Sequence, residues 1–507
     1  MSAAPQSIAL SLVSHTNAGK TALARTLLGR DVGEVRDEAH VTTSAERYVL
    51  LESAAGDVLY LWDTPGFGDS ARLLRRLAGA EHPIVRFLAM TWDRWRDRAF
   101  WFTQQAVRNV RDDADVVLYL VNASETPADA GYLAPELQIL EWIGKPVIVL
   151  LNQTGPPRSA DDDAAEVARW HAALGARSAI ADVLSLDAFA RCFVQESVLL
   201  HAVAQVLPAD KHAAFARLEA AWRTERDRRF AASMSAIAKP IAEAACDRGT
   251  LSPAPWHRSL AESGRALVSG TERIDPEKRA AMDALARRLD AAIRASTNEL
   301  IAIQHLGGEA ADEVMKRLAS DVATQAPLDP RTAGVIGGVV SGALTGLAAD
   351  IAAGGLTFGA GMLAGALVGA AGGVGLAHGF NFVRGRNESC ARWTDEFIAS
   401  LVPAAVLRYL AVAHYGRGRG DYAASEYPAF WRDVVADQMA QHDVAAGVAQ
   451  RRREPCDAQA LADAFESLLA AIAGGVLHTL YPAADAPALP ESTAPTQNDA
   501  PPAAPAT

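Results

Sequence analysis

The sequence predicts an α/β domain with a mainly parallel, three-layer sheet, followed by an all-α domain that contains a glycine-zipper helical hairpin. Three observations support this prediction. Apolar runs typical of buried parallel strands alternate with helix-forming segments as far as about residue 205. Charged, Ala-rich amphipathic stretches follow, and residues 332–380 then contain a single charged residue, Asp350, among many glycines and alanines. A chain of 507 residues has room for two or three such domains.

The first apolar run leads into a loop that is typical of phosphate binding. Residues 8–13 are strand-like, residues 14–21 read SHTNAGKT, and residues 22–28 favour a helix. A strand, a tight loop with Gly-Lys-Thr and a helix are the context that a phosphate-binding loop, or P-loop, requires. The loop begins with Ser14 where the usual pattern has glycine. With that one departure, it predicts a P-loop NTPase domain.

The residues of this loop have distinct expected roles. Backbone N–H groups of the loop and of the helix N-terminus would point at the β-phosphate. Lys20 would reach the β- and γ-phosphates, and Thr21 would be a ligand of Mg²⁺. At Gly19 a Cβ atom would collide with phosphate oxygens.

A second motif, Asp63-Thr64-Pro65-Gly66, follows the apolar run of residues 57–62. In P-loop proteins an Asp at the end of such a strand holds the water shell of Mg²⁺, and a following Gly N–H group senses the γ-phosphate. Asp63 and Gly66 are therefore expected at the phosphate end of the site, in the segment called switch II. A water activated near Gly66 would be the nucleophile, and the sequence identifies no side-chain base for it.

Thr42 and Thr43 lie between the two motifs, after a loop-like segment. A Thr in this place can close over Mg²⁺ when a γ-phosphate is present and release it afterwards, which is the behaviour of switch I. The sequence does not decide which of the two is the ligand, and the alternative for each is the first residue of the next strand. Lys20, Thr43 and Gly66 form the expected catalytic set.

The apolar run of residues 145–151 ends in Asn152-Gln153-Thr154-Gly155, where a base-recognition motif should lie. The order and spacing of these motifs, with Asn17 inside the P-loop, resembles the Era/TrmE-like branch of translation-factor-type GTPases over residues 7 to about 200. The resemblance implies GTP or GDP with Mg²⁺ as cofactors, and GTP hydrolysis as the activity. The nucleotide contacts that it implies are Asn17, Ala18, Gly19, Lys20, Thr21, Ala22, Asp63, Gly66, Asn152 and Gln153, and the implied metal ligands are Thr21, Asp63 and either Thr42 or Thr43.

The chain departs from the pattern of these GTPases at two positions. Their base motif ends in an Asp whose carboxylate accepts two hydrogen bonds from guanine, and Gly155 stands there in this chain. Because an unpaired buried donor is costly, guanine preference requires a substitute carboxylate. Asp161, Asp162 and Asp163 are nearby candidates, and the alternative for them is a solvated acidic run. Phe67 stands where Ras-like proteins have a water-orienting Gln, which predicts slow hydrolysis or a group supplied by another element or partner.

Residues 151–157, 186–192 and 195–196 look like a group of bacterial proteins in which an Era-like GTPase domain is fused to a C-terminal domain of unknown function. The resemblance implies that the Asn-Gln-Thr-Gly variant belongs to the whole group. It supplies no known task for the second domain.

Composition restricts the classes of partner. The formal net charge is −12, whereas nucleic-acid binding normally requires clustered positive charge, so DNA is not expected and RNA or ribosome binding is unsupported. No signal segment precedes the first strand, so export is not expected. The wide spacing of the cysteines gives no disulfide or zinc signal and suits a reducing cytoplasm. The cysteines are Cys192, Cys246, Cys390 and Cys456.

A long helical insertion, residues 71–114, separates the Asp63 motif from the next strand-like run. Its density of aromatic residues is typical of packing between a helix and its neighbours. The alternative is an effector surface moved by switch II, since the insertion follows the γ-phosphate sensor directly. The aromatic residues are Trp92, Trp95, Phe100, Trp101 and Phe102.

The Gly/Ala-rich segment 331–384 predicts a helical hairpin. Glycines at every fourth position fall on nearly one face of a helix and let another backbone approach, which is typical of packing between membrane helices. Insertion in the inner membrane is favoured; the alternative, a close-packed hairpin buried in the C-terminal domain, is supported by Asp350 and the low Leu/Ile content. The glycines are Gly334, Gly338, Gly342 and Gly346, then Gly361, Gly365, Gly369 and Gly373.

These patterns together predict a bacterial GTP-binding switch that hydrolyses GTP slowly and couples its nucleotide state to a helical domain. Its partners would be a guanine nucleotide and an inner-membrane lipid or membrane protein, with oligomers possible through the glycine ladders. The alternatives are a nucleotide-regulated membrane scaffold or remodelling protein with negligible turnover, and an NTPase that does not select the base. The predicted divisions are 1–205 for the GTP-binding domain, 206–330 for a helical region, 331–384 for the hairpin, 385–482 for a second helical region and 483–507 for a disordered tail.

Overall fold

The first part of the chain is built on a six-stranded sheet. The computed structural model describes residues 4–32, 45–67, 70–77, 98–155, 157–189, 193–251, 276–306, 380–384, 389–416, 428–442, 444–452 and 456–487. The strands are β1 (Ser7–Ser14), β2 (Glu46–Glu52), β3 (Val58–Asp63), β4 (Val116–Asn122), β5 (Val147–Asn152) and β6 (Ile180–Ser185). Their order is β2-β3-β1-β4-β5-β6, with β2 antiparallel to β3 and all other neighbours parallel.

Helices cover both faces of this sheet. They are α1 (Lys20–Leu28), α2 (Ser70–Leu77), α3 (Arg98–Asp112), α4 (Leu133–Ile143), α5 (Ala160–Leu174) and α6 (Gln195–Val206). On one face Leu10 of β1 packs with residues of α1 and α6, and on the other Val13 packs with residues of α3, α4 and α5. The predicted three-layer α/β class with a mainly parallel sheet is therefore confirmed.

The carboxyl end of β1 lies in the middle of the sheet, between β3 and β4. Because parallel strands end at the same edge, the loops that follow β1, β3, β5 and β6 converge there. The motifs that the sequence singled out occupy these loops, at residues 14–19, 64–67 and 153–155.

The second part of the chain is mainly helical, as predicted. Its helices are α7 (His212–Cys246), α8 (Pro276–Ile303), α9 (Asp395–Ala413), α10 (Ala429–Ala440), α11 (Val444–Arg451) and α12 (Ala458–Leu480). The 35 residues of α7 extend about 50 Å at 1.5 Å per residue. Leu218 of α7 belongs to a core of the sheet domain, whereas Met234 belongs to the core of the helical domain. One continuous helix thus joins the two hydrophobic cores.

A small antiparallel sheet within the helical part corrects the prediction. It consists of β7 (Gly249–Leu251), β8 (Phe380–Arg384) and β9 (Ser389–Trp393) in the order β7-β9-β8. The last five residues of the segment predicted as a helical hairpin therefore form a strand. Alternation of Phe380 and Phe382 with polar Asn381 fits a strand, and the glycine-rich pattern before it concealed that signal. The rest of the predicted hairpin lies outside the described residues.

Two further expectations differ from the structure. Cys246, at the end of α7, forms a disulfide with Cys456, although no disulfide was expected. Their separation of 210 residues explains why spacing gave no signal. The tail was expected to be disordered from residue 483, yet the N–H of Asp485 donates to Ser197 Oγ at 3.2 Å and its carbonyl accepts from Arg226 at 3.0 Å. Residues 488–507 lie outside the described residues.

The aromatic insertion is partly described. Phe100 and Phe102 are 2% and 5% exposed, which confirms core packing for these two side chains. Trp101 is half-buried, while Trp92 and Trp95 lie outside the described residues.

Helices α9 and α12 are long and apolar enough to cross a membrane. Residues of both helices pack into the core of the helical domain, in contact with α7.

Candidate functional site

The P-loop turns sharply between β1 and α1. Asn17 and Gly19 have left-handed backbone conformations, with φ angles of 66° and 87°. A Cβ atom added at Gly19 would lie 2.6 Å from Nδ2 of Asn152, so the protein's own base motif excludes a side chain here. Helix α1 begins at Lys20, and its first N–H groups therefore face the loop. Ala18 and Ala22, both predicted nucleotide contacts, are buried at this turn.

Lys20 is buried, and its Nζ donates a hydrogen bond of 2.9 Å to Oγ of Ser14. Burial lowers the pKa of Lys20, and the charges of Asp63 and Glu136 oppose this effect. Ser14, the departure from the usual glycine, thus supplies an oxygen to the ammonium group. A phosphate at this place would add the negative charge that a buried ammonium requires.

Two of the predicted Mg²⁺ ligands, Thr21 and Asp63, lie side by side. Thr21 Oγ1 donates to Oδ2 of Asp63 at 2.6 Å, and both residues are buried. Within the described residues Oδ1 of Asp63 has no hydrogen-bond partner, and burial raises the pKa of this carboxyl. An unpartnered carboxylate oxygen beside a hydroxyl fits Mg²⁺, which keeps several waters and needs only one or two protein carboxylates. The predicted switch I ligands Thr42 and Thr43 lie outside the described residues.

Switch II begins against the P-loop. A Cβ atom added at Gly66 would lie 3.1 Å from Nζ of Lys20 and 3.2 Å from Cα of Thr16. The N–H of Phe67 donates to the carbonyl oxygen of Ser14 at 2.8 Å, and its ring is fully buried. Gly66 therefore lies beside the ammonium group of Lys20, whereas the side chain of Phe67 points into the core.

Asn152 joins the loops at the base end of the site. Its Nδ2 donates to the carbonyl oxygen of Ala18 at 2.7 Å, and its Oδ1 accepts from the N–H of Ala188 at 2.8 Å. Gln153 reaches the P-loop, with Nε2 3.7 Å from a Cβ placed on Gly19. A Cβ placed on Gly155 would meet nothing within 4 Å among the described residues. Gly155 therefore leaves open space where the usual carboxylate stands.

Asp187 is a site residue that the sequence did not predict. Its Oδ2 accepts from the backbone N–H of Thr154 at 2.6 Å and from the Thr154 hydroxyl at 2.9 Å, and its Oδ1 accepts from the N–H of Phe189 at 2.7 Å. The carboxylate that contacts the base motif thus comes from the loop after β6. Of the substitutes that the sequence offered, Asp161 and Asp162 are exposed, and Asp163 accepts a hydrogen bond from the Ser185 hydroxyl. Its position two residues after the end of β6, the last strand of the six-stranded sheet, was the signal in the sequence that could have identified Asp187.

A buried carboxylate beneath switch II was also missed. Glu136 of α4 is fully buried and lies 2.7 Å from His15 Nδ1, and it accepts from the Tyr119 hydroxyl at 2.7 Å. Ser70, the first residue of α2, also hydrogen-bonds it. Burial raises the pKa of Glu136, and its hydrogen bond with His15 opposes this effect. The Glu136 network, formed by these four residues, connects the P-loop with the start of the switch II helix.

The geometry defines a P-loop nucleotide site, and comparison with known families agrees. Residues 9–153 match the family described as "50S ribosome-binding GTPase", so the N-terminal part is a P-loop GTPase domain. Residues 172–474 match the family described as "Domain of unknown function (DUF3482)", which covers more than half of the chain. The chain belongs to this second family. The predicted fusion of a GTPase domain with a domain of unknown function is confirmed.

Part of the chain is similar to several solved structures. One is Era bound to MgGDPNP and a segment of 16S ribosomal RNA, with 17% identity, a TM-score of 0.29, and coverage of 40% of this chain and 58% of that chain. A variant of Aquifex aeolicus Era bound to GDP and aluminium fluoride has 17% identity, a TM-score of 0.29, and coverage of 40% and 57%. A variant of SsGBP has 19% identity, a TM-score of 0.24, and coverage of 39% and 56%. The chain spans less than two thirds of each of these structures. No curated protein matches it.

Proposed function

We propose that this chain is a bacterial GTP-binding switch with slow, Mg²⁺-dependent GTP hydrolysis that couples its nucleotide state to the helical domain. The observation that supports this proposal best is the grouping of Lys20 and Thr21, at the start of α1, with Asp63, at the end of β3. A buried ammonium and a carboxylate oxygen without a partner among the described residues match a triphosphate and its divalent ion in charge.

Residues of this chain would position the phosphates. Lys20 would bind the β- and γ-phosphates, and the N–H of Gly66 would donate to the γ-phosphate. Thr21 and Asp63 would hold Mg²⁺, together with Thr42 or Thr43, and the ion would neutralise charge on the phosphate oxygens. The buried ring of Phe67 cannot orient an attacking water, so slow turnover is expected.

Phosphate release from GTP tests hydrolysis. Lys20→Ala removes the phosphate-binding ammonium, and Lys239→Ala is the matched control because Lys239 is exposed on α7. We expect release by the wild type and the Lys239→Ala variant, and none above background by Lys20→Ala. Release by the wild type no faster than by Lys20→Ala would instead favour the nucleotide-regulated scaffold.

A base-unselective NTPase is the second candidate, and the open space at Gly155 favours it. Guanine selection would depend on the loop of Asp187, since that carboxylate contacts the base motif. Competition of labelled GTP by excess unlabelled GTP or ATP separates the two candidates. If the site selects guanine, unlabelled GTP should displace the labelled GTP and ATP should not. Equal displacement by GTP and ATP would exclude guanine selection.

The proposed coupling is supported by two connections. The Glu136 network contacts both the P-loop and α2, and α7 packs into both hydrophobic cores. Glu136→Gln replaces one acceptor oxygen with an N–H₂ group. Because His15, Tyr119 and Ser70 all donate to Glu136, at least one of these three donors would then lack an acceptor. We expect this variant to lose most of the difference between the GDP-bound and GTP-bound hydrogen-exchange patterns of α2. Glu125→Gln, at an exposed loop position, is the control.

Association with the inner membrane is proposed from the glycine ladders of residues 331–384. Their spacing suits close helix packing in lipid. Fractionation of bacterial cells tests this: full-length protein should sediment with membranes, and a variant lacking residues 332–380 should not. Full-length protein in the soluble fraction, combined with unfolding of the deletion variant, would favour the buried hairpin.

A further inference from the structure

The helical domain contacts the nucleotide domain directly at the base end of the site. Gly416 follows the end of α9, and its N–H donates to the carbonyl oxygen of Phe189 at 3.1 Å. Phe189 and Ala188 form the loop after β6, next to Asp187. This contact is separate from the Glu136 network, which lies at the phosphate end.

The packing at this contact leaves no space for a side chain. A Cβ atom added at Gly416 would overlap the carbonyl oxygen of Ala188 and would lie 2.6 Å from its carbonyl carbon. Both are backbone atoms, so any larger residue at position 416 must displace the loop. The nucleotide domain and α9 are therefore in direct backbone contact.

Ala188, which a side chain at position 416 would displace, holds the base motif in place. The N–H of Ala188 donates to Asn152 Oδ1, and Asn152 Nδ2 donates to the P-loop at Ala18. The carbonyl oxygen of Ala188 also accepts from Thr26 of α1 at 2.9 Å. A shift at Gly416 therefore reaches the base motif and the P-loop through one chain of hydrogen bonds.

The helical domain holds Gly416 firmly. His414, two residues earlier, is buried, with its ring 4.6 Å from that of Trp431 and 5.5 Å from that of Tyr481. Trp431 lies on α10 and Tyr481 directly follows α12, so these two helices hold the end of α9.

We infer that Gly416 is a positioning residue through which the helical domain controls release of nucleotide from the GTPase domain. The inference rests on the proposed nucleotide binding and adds its regulation. With Gly416 in place, Ala188 and Asn152 are aligned for the base and the nucleotide is retained. Movement of the end of α9 would misalign Ala188 and Asn152 and so release the nucleotide.

The test measures dissociation of fluorescently labelled GDP from full-length protein after addition of excess unlabelled GDP. Gly416→Ala should raise the dissociation rate about tenfold, because a shift of the loop removes one or two hydrogen bonds. Gly474→Ala in α12 is the matched control, since its nearest contact would be Pro487 at 4.0 Å, and it should match the wild type. Melting temperatures are recorded for both variants, and rates are compared well below them.

Each outcome is informative. Equal dissociation rates for the wild type and Gly416→Ala, even with a lowered melting temperature, would overturn the inference and leave the nucleotide site intact. If the wild type did not bind GDP, the proposed guanine-nucleotide binding would itself be contradicted. Hydrogen exchange of the wild type gives a second measurement that needs no variant. Because coupling is reciprocal, GDP should slow exchange at Gly416 more than in α12, and equal effects at both places would also overturn the inference.

Discussion

Asn152 shows how one amide group organises the base end of the site. It is fully buried, and its donor and its acceptor connect the P-loop to the loop after β6. The side chain also explains the glycine at position 19, which it approaches too closely for a Cβ atom. The resemblance implied a contact between Asn152 and the base, which stays a prediction, whereas the link between the two loops emerges only from the structure.

Asp187→Asn tests the substitute carboxylate. An amide keeps the size of the side chain but replaces an acceptor oxygen with a donor, so an N–H of Thr154 or of Phe189 loses its partner. We expect GDP affinity to fall about tenfold, measured by calorimetry. Asp161→Asn, on the exposed start of α5, should leave affinity unchanged. Equal affinity of both variants would mean that Asp187 does not support the base motif.

At the scale of single residues, local motifs assigned Lys20, Thr21, Asp63 and Gly66 to one site, and the structure brings these four residues together. Their roles at a nucleotide stay predictions. Asp187 and Glu136 were missed for a physical reason. Thr154, the base-motif partner of Asp187, is 33 residues away along the chain, and His15, the P-loop partner of Glu136, is 121 residues away. Only the packing of β6 and α4 at the P-loop edge brings them together.

Helix α7 makes the connection between domains that the sequence did not predict. Its periodicity predicts an amphipathic helix, but no local pattern says that its first half packs on the sheet. Arg217 near its start forms a bidentate ion pair with buried Asp57, at 2.7 and 2.8 Å. This pair ties α7 to the turn between β2 and β3, at the opposite end of β2 from the predicted switch I.

The Arg217–Asp57 pair gives a pH-dependent prediction. Hydrogen bonding from Arg217 holds the pKa of Asp57 well below its ordinary value of about 4. Because the pKa of Asp57 is lower in the folded state, the ion pair contributes to the free energy of unfolding. This contribution is complete at pH values above the unfolded-state pKa, and it is lost as the pH falls towards the folded-state pKa. Arg217→Gln should therefore lower the free energy of unfolding near neutral pH, with a deficit that shrinks below about pH 4.

Urea denaturation at a series of pH values measures this deficit. Arg228→Gln is the control, because Arg228 forms an exposed pair with Glu225 within the same helix. A deficit for Arg217→Gln that stays constant from neutral to acidic pH would contradict the assigned partner.

At the scale of the whole molecule, the disulfide between Cys246 and Cys456 closes a 210-residue separation. Cross-linking of this kind restricts the unfolded chain and stabilises the folded state by roughly 2–5 kcal/mol. Without reductant, Cys456→Ser should lower the free energy of unfolding by roughly 2–5 kcal/mol. With reductant, the variant and the wild type should have the same free energy of unfolding. Cys390, the free cysteine among the described residues, provides the control Cys390→Ser, which should behave as wild type in both conditions. Equal stability of all three proteins without reductant would exclude the cross-link.

The sequence predicted the order of two domains and the class of each, because apolar runs and P-loop motifs are local signals. It did not predict the disulfide, the three-stranded sheet or the ordered residues after α12. Each of these depends on contacts between segments far apart in the chain, as the pairing of β7 with β9 shows.

Calorimetric titration of full-length protein with GDP, GTP and ATP in the presence of Mg²⁺ tests the central claim most directly. A guanine-nucleotide site at the P-loop predicts saturable heat for GDP and GTP, little for ATP, and none with the Lys20→Ala variant. An absence of heat with all three nucleotides, or equal heats from the wild type and Lys20→Ala, would contradict it.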